Sequence, residues 1–179
     1  MKKVLLPLIF VIPLVIPLQG QKEVPLWQPM LSTLGASYYP PLDAGYSPIK
    51  SLEEPYWGAH FSTFSRRDQI EIKFVLDTAL QDYPTIQLGR WLAQIASNDA
   101  EGVISRVPID PSILIQRYQA DWGGLYFFKP KFSSTFYSEC KLLALYKEGK
   151  GMIFIFFLFN EFTDRLQSLE HIISFDSLP

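Results

Sequence analysis

A chain of 179 residues that is 48% hydrophobic and 15% aromatic carries enough apolar side chain for one packed core, and too much for a disordered protein. Its formal net charge is −2, and no basic cluster is longer than Arg66-Arg67, which argues against the concentrated positive surface that tracking a nucleic-acid backbone requires. Cys140 is the single cysteine, so an intramolecular disulfide is impossible and the fold must rest on its core.

The chain opens on Met1-Lys2-Lys3, runs through the apolar stretch Val4 to Leu18 and then reaches Gln19-Gly20-Gln21. A positive start, a short apolar run and then small or polar residues are the anatomy of a cleavable secretory signal, here residues 1–20. A membrane anchor would need about 20 apolar residues, and Pro7, Pro13 and Pro17 interrupt this run. No cysteine follows it, which argues against lipid anchoring in the manner of a bacterial lipoprotein. The expectation is an exported bacterial protein, periplasmic or extracellular, with no transmembrane helix in its mature chain.

Residues 21–57 hold Pro25, Pro29, Pro40, Pro41, Pro48 and Pro55, with Trp27, Tyr38, Tyr39, Tyr46, Tyr56 and Trp57 among them. Proline at this density opposes a continuous helix or a central strand, while the aromatics oppose disorder. An extended strap with its rings docked on the remaining domain, residues 58–179, satisfies both. A proline-rich recognition segment is the functional alternative.

Two patterns compete from Ser65 onward. Ser65 and Asp68 form a loose capping box, and Ile72, Val75, Leu76, Ala79, Leu80 and Tyr83 recur at helical spacing. Ile70, Ile72, Phe74 and Leu76 also alternate with Gln69, Glu71, Lys73 and Val75, as in a strand. The helix is expected, because its period persists to Leu80. After Pro84, Thr85 caps a second helix with the stripe Leu88, Trp91, Leu92, Ile95 and Ala96, ended by Ser97-Asn98-Asp99 and Gly102.

Val103 to Arg106 is expected as a short strand. Ile113, Leu114, Ile115 and Tyr118 form an apolar element of undetermined type. Trp122 to Phe128 is a strand, with Gly123-Gly124 read as a bulge or tight bend. Glu139 to Tyr146 and Met152 to Phe159 are strands around a polar turn. The second has no polar residue, which makes it central and buried on both faces. A last helix is expected from Thr163-Asp164, bearing Leu166, Leu169, Ile172 and Ile173. The whole reads as an α+β fold: a mostly antiparallel sheet with packed helices, one small domain after the signal.

From Asp121 to Ser177 the order is strand, strand, polar turn, long apolar strand and closing helix, ending in Ile172-Ile173-Ser174-Phe175. In this third of the chain the order resembles the C-terminal half of small exported PsbP-like α/β/α sandwich domains. That resemblance implies an accessory or binding role without catalysis. The two helices expected between Ser65 and Asp99 depart from it.

Chemical signatures are sparse. There is no Gly-x-Ser-x-Gly elbow, and His60 and His171 are the only side-chain bases of their kind. Cys140, in a strand with Leu142 and Ala144, reads as an inert core thiol, and His171 as a surface side chain. One cysteine and two distant histidines match no zinc spacing, no Asp-rich calcium loop occurs, and no glycine-rich phosphate loop is present. Glu139, Glu148, Glu161, Asp110 and Asp121 could supply paired carboxylates, but spacing alone does not pair them.

The reading is therefore a small exported binding or accessory protein, more plausibly not an enzyme, with no cofactor, metal site or catalytic residue assigned. Its partner would be a protein or a small ligand, met through Trp57, His60, Trp122 and Tyr126. Alternatives are a small exported hydrolase with His60 as base, and an envelope structural protein. Mass spectrometry of the exported fraction should find an N-terminus near Gln21; full-length chain in carbonate-washed membranes would refute the signal.

Overall fold

The computed structural model describes residues 27–41, 45–49, 57–79, 84–97, 103–131, 133 and 135–176. Helix α1 (Trp27–Leu34) is followed by strands β1 (Ala36–Tyr38), β2 (Ser47–Ile49), β3 (Phe61–Ser65) and β4 (Ile70–Asp77). Helix α2 (Pro84–Ile95) and strand β5 (Ser105–Pro108) come next. A short helix α3 (Pro111–Ile113) then widens into a π-helical turn (Leu114–Tyr118). Strands β6 (Trp122–Phe128), β7 (Glu139–Lys147) and β8 (Gly151–Phe159) precede helix α4 (Arg165–Ser168), a 3-10 turn (Leu169–His171) and strand β9 (Ile173–Phe175).

All nine residues of β8 are buried. The strand is the middle member of a seven-stranded sheet ordered β2-β3-β4-β8-β7-β6-β5, in which every pairing is antiparallel. Period-two geometry divides its side chains between the two faces. Ile153, Ile155, Phe157 and Phe159 join Ile70, Ile72, Phe74, Leu76, Leu143 and Leu145 on one face. Met152, Phe154, Phe156 and Leu158 join Val75, Leu142 and Ala144 on the other.

Different layers cover the two faces. The first lies under α1, the β1–β9 ribbon, the π turn and α4, through Trp27, Leu31, Leu34, Leu114, Tyr118, Leu166, Leu169 and Phe175. The second lies under α2, whose Leu88, Leu92, Ile95 and Ala96 form the expected stripe, and under Trp57. The expected α+β class is thus observed among the described residues as a mostly antiparallel sheet with packed helices.

Four local expectations differ from the structure. Residues 70–77 are strand rather than helix: Ile70, Ile72, Phe74 and Leu76 are almost wholly buried, and the strand pairs with β8 from Glu71↔Leu158 to Asp77↔Met152. The alternation of Ile70, Ile72, Phe74 and Leu76 with Glu71 and Lys73 was the true signal, and Val75, buried on the second face, completed a false helical stripe. The capping pair does form its bond, Asp68 N–H to Ser65 Oγ at 3.2 Å, but in the β3–β4 hairpin turn. Short side-chain–backbone bonds of this type serve turns as readily as helix ends.

The closing segment is not one helix. After α4 and the 3-10 turn, Ile173 to Phe175 pairs with β1, Ala36↔Phe175 through Tyr38↔Ile173. Ile173 and Phe175 are buried with Ser174 only partly so, a strand alternation. Within the strap region, Trp27–Leu34 is helical because Pro29 falls in the first turn, where its missing N–H has no intrahelical partner to lose. Trp27 and Trp57 are both buried, whereas Tyr39 is exposed. Residues 1–26, 42–44 and 50–56 lie outside the described residues, the signal among them.

Finally, Gly123-Gly124 makes no bulge, since β6 pairs with β7 without interruption from Trp122↔Tyr146 to Phe128↔Cys140. Gly123 is needed for a close approach: a Cβ there would lie 2.7 Å from Leu114 Cδ2 and 3.0 Å from the Ala144 carbonyl oxygen. Gly151 is needed for its backbone, at φ +130°, and a Cβ there would collide with the Asp77 carbonyl oxygen.

Because Phe154 and Phe157 are fully buried on opposite faces, Phe154→Ala and Phe157→Ala should each destabilise the fold by about 3–5 kcal/mol. Urea unfolding followed by tryptophan fluorescence measures both. Phe162→Ala, at an exposed ring, should shift the midpoint little.

Candidate functional site

Three of the four residues expected to meet a partner lie in one cluster, and it is core. Trp57 is 1% exposed and Tyr126 6%, while Trp122 is half-buried against the same group beneath α2. Trp57 meets Phe156 edge-on, centroids 4.9 Å apart, and Arg106 lies 6.0 Å over the Tyr126 ring. Buried rings such as Trp57 and Tyr126 have little surface left for a partner.

His60 stands apart from them at the start of β3. Its backbone N–H donates to the Phe74 carbonyl at 2.8 Å, and its ring Nδ1 accepts the Leu76 N–H at 3.1 Å. The imidazole thus extends the β3–β4 ladder by one bond, leaving Nε2 to carry the proton of the neutral ring. Partial burial lowers the His60 pKa below its usual 6.5, against the opposing pull of Asp77.

The other chemical candidates are also held in structural roles. Cys140 is buried, and its thiol pKa is pushed well up by burial, with Glu139 adding to it. Asp110 accepts the Ser112 N–H at 2.8 Å as the cap of α3, and Asp121 accepts the Glu148 N–H at 2.7 Å. Among the described residues no group of His, Cys, Asp or Glu could hold a metal ion.

A polar cleft of about 340 Å³ lies where the π turn meets the closing segment, lined by Arg117, Asp164, Gln167, Ser168, Glu170 and His171. The cleft is open to solvent: Arg117, Asp164, Gln167, Ser168 and His171 are exposed and Glu170 is half-buried. Arg117 is presented by the π turn, a geometry rare in helices and frequent at functional sites. The turn ends at Gln119, which takes the left-handed φ of 52°. Lys147 donates to the Gln119 carbonyl, and Asp121 N–H donates to the Tyr146 carbonyl at 2.9 Å. The rim carrying Arg117 is thereby tied to the end of β7.

The opposite wall is fixed by a charge placed inside the sheet. Lys141 is 3% exposed, in an otherwise apolar strand, facing the first core. A buried ammonium needs a partner. Lys141 forms an ion pair with Glu170 and donates to the Leu166 carbonyl at 3.3 Å. Its Nζ also lies 5.7 Å from the Phe127 ring centroid and 5.9 Å from that of Phe157. Arg165 anchors the same segment from the other side, 3.2 Å from Asp68 in the β3–β4 turn.

His171 joins this set at the surface. Its pKa is lowered first by partial burial, then by the positive charge of Arg117, and less by Lys141, while Glu170 acts the other way. Burial, with Glu170 adding to it, pushes the pKa of the Tyr118 hydroxyl beneath the π turn up to about 12, against the opposing influence of Arg117. The arrangement sets Arg117, His171, Asp164 and Glu170 around one small volume, with Lys141 buried as the partner of Glu170. The signal in the sequence was a lysine inside an apolar strand; its partner lies 29 residues away.

Comparison with protein-family models, with curated proteins and with solved structures finds no match. No helix among the described residues is long and apolar enough to cross a membrane.

Both histidines have folded-state pKa values below 6.5. Each therefore contributes stability that is complete above pH 6.5 and is lost as pH falls through the folded value. The unfolding midpoint should hold between pH 8 and 7 and drop toward pH 5. His60→Asn, which keeps an acceptor for the Leu76 N–H but does not titrate, should make that drop shallower. Equal slopes in the two proteins would show that the His60 bond has no such effect.

Proposed function

We propose that the protein is a small exported binding protein, without catalysis, that holds one small polar ligand in the cleft between the π turn and the closing segment. The observation that carries this reading is the cleft itself: about 340 Å³, with every lining side chain polar or charged. Ligand pockets combine a few convergent polar groups with a rigid scaffold, and here both walls are tied to the sheet by Lys147, Lys141 and Arg165.

Burial of Trp57 and Tyr126 removes these two side chains from the partner surface expected of them. The resemblance to PsbP-like domains points to the same non-catalytic class. Export rests on the signal-like residues 1–20. A hydrolase with His60 as base is the weaker reading: its Nδ1 lone pair accepts a backbone N–H, and Nε2 carries the proton of the neutral ring, so neither nitrogen is free to accept one.

Amide chemical shifts of the ¹⁵N-labelled protein, recorded against mixtures of small carboxylates, amines, amino acids and sugars, test this. At least one mixture should move Arg117, Gln167, Ser168 and His171 while leaving β4 and α2 still. Shifts confined to β5 or to the surroundings of His60 would place the binding surface elsewhere and overturn the reading.

A further inference from the structure

The charges around the cleft select among ligands. Arg117 comes from the π turn and Lys141 from β7; Asp164, Glu170 and His171 come from the closing segment. Arg117, Glu170 and Lys141 act electrostatically on His171, and Asp164 lines the same cleft. With His171 neutral, two positive charges oppose two negative ones. With His171 protonated, one positive charge is left over.

Glu170 is committed to Lys141. Arg117 lines the cleft and carries several N–H donors in its planar fork. That fork matches a carboxylate bidentately. Asp164 and Glu170 in the same wall oppose a doubly charged anion, so a single negative charge fits best. Gln167 and the Ser168 hydroxyl, which donates to the Arg165 carbonyl at 2.8 Å, offer polar contacts for the rest of the molecule.

Building on the cleft as a ligand site, we propose that it takes a small monocarboxylate seated between Arg117 and His171, together with one proton on the imidazole. The reason is reciprocity. Partial burial and then the positive charge of Arg117 lower the His171 pKa, and an anion beside Arg117 in the cleft opposes the second of these, so the ligand favours the proton and the proton favours the ligand. The proton comes from solvent, no bond other than N–H forms, and the charge left by protonation equals the charge the ligand brings.

Lactate, inorganic phosphate and ethanolamine serve as probes, each titrated into the purified protein at pH 7.5 and pH 5.5 with amide shifts as the readout. Lactate stays ionised across this range. Its dissociation constant at the cleft should fall severalfold at the lower pH, the limit for one linked proton being about tenfold per pH unit. His171→Gln should bind lactate equally at both pH values, and Arg117→Gln should weaken it about tenfold or more, each with an unchanged circular dichroism spectrum. Wild-type binding at the cleft without pH dependence would overturn the proton uptake, and tighter binding of phosphate or ethanolamine would overturn the monocarboxylate. In those cases the cleft remains a ligand site. Failure of all three probes to move cleft residues overturns this inference, while the mixtures described above decide the cleft itself.

Discussion

Nine consecutive buried residues in β8 leave no face of that strand for water, and the layers above and below the sheet exist to exclude it. Burying a side chain such as Phe154 or Phe157 contributes about 1.5–3 kcal/mol, so the strand is a large part of what holds the chain folded. It also dictates its neighbours. β4 and β7 flank it on either side; β7 is apolar on both faces for most of its length, and β4 is apolar on the first face. Where these flanking strands carry buried charge it is paired: Lys73 beside Glu71 at 2.6 Å on one face, and Lys141 beside Glu170 on the other.

That constraint explains which elements were legible in the sequence. An unbroken apolar run flanked by a polar turn has one good solution, so β8 and its hairpin partner β7 could be read directly. α2 was legible because one side of it faces solvent, and its stripe of Leu88, Leu92 and Ile95 stands out against exposed positions. β4 was misread for the opposite reason. Its alternation of Ile70, Ile72 and Phe74 with Glu71 and Lys73 is intact, but Val75 is buried on the second face as well, and Phe74-Val75-Leu76 followed by Ala79 and Leu80 fits a helical period too. Tertiary pairing with β8 then decides. The closing segment failed similarly: Leu166, Leu169, Ile172 and Ile173 fit a helical spacing, but pairing with β1 makes Ile173–Phe175 a strand, and no local pattern announces a partner in a distant part of the chain.

The candidate site was legible only in fragments. Aromatic side chains drew attention as possible anchors, yet an aromatic residue is a large apolar surface first. In this chain Trp57 and Tyr126 fill the space between the sheet and α2. His171 was recognised as a surface residue, which it is, but its neighbours were invisible: Arg117 arrives through a π turn that periodicity does not encode, and Lys141 arrives through the sheet. The mark available was Lys141 itself. A lysine in a strand whose neighbours are Cys140, Leu142 and Leu143 must find an acid, and Glu170 is that acid.

The pair is weak evidence for stability, because desolvating two charges offsets much of their attraction. Its consequence is positional. A hydrophobic contact at the same place would let the 3-10 turn slide over the apolar face, since dispersion forces are not directional. An ammonium that bonds the Glu170 carboxylate and the Leu166 carbonyl together fixes the turn in both height and rotation. His171 follows Glu170 directly, so fixing one places the other. On the facing rim, the missing side chain of Gly123 lets Leu114 settle on the sheet, which sets the height of the π turn and hence of Arg117. The distance across the cleft is therefore determined from below, by one ion pair and one glycine in neighbouring strands of the same sheet.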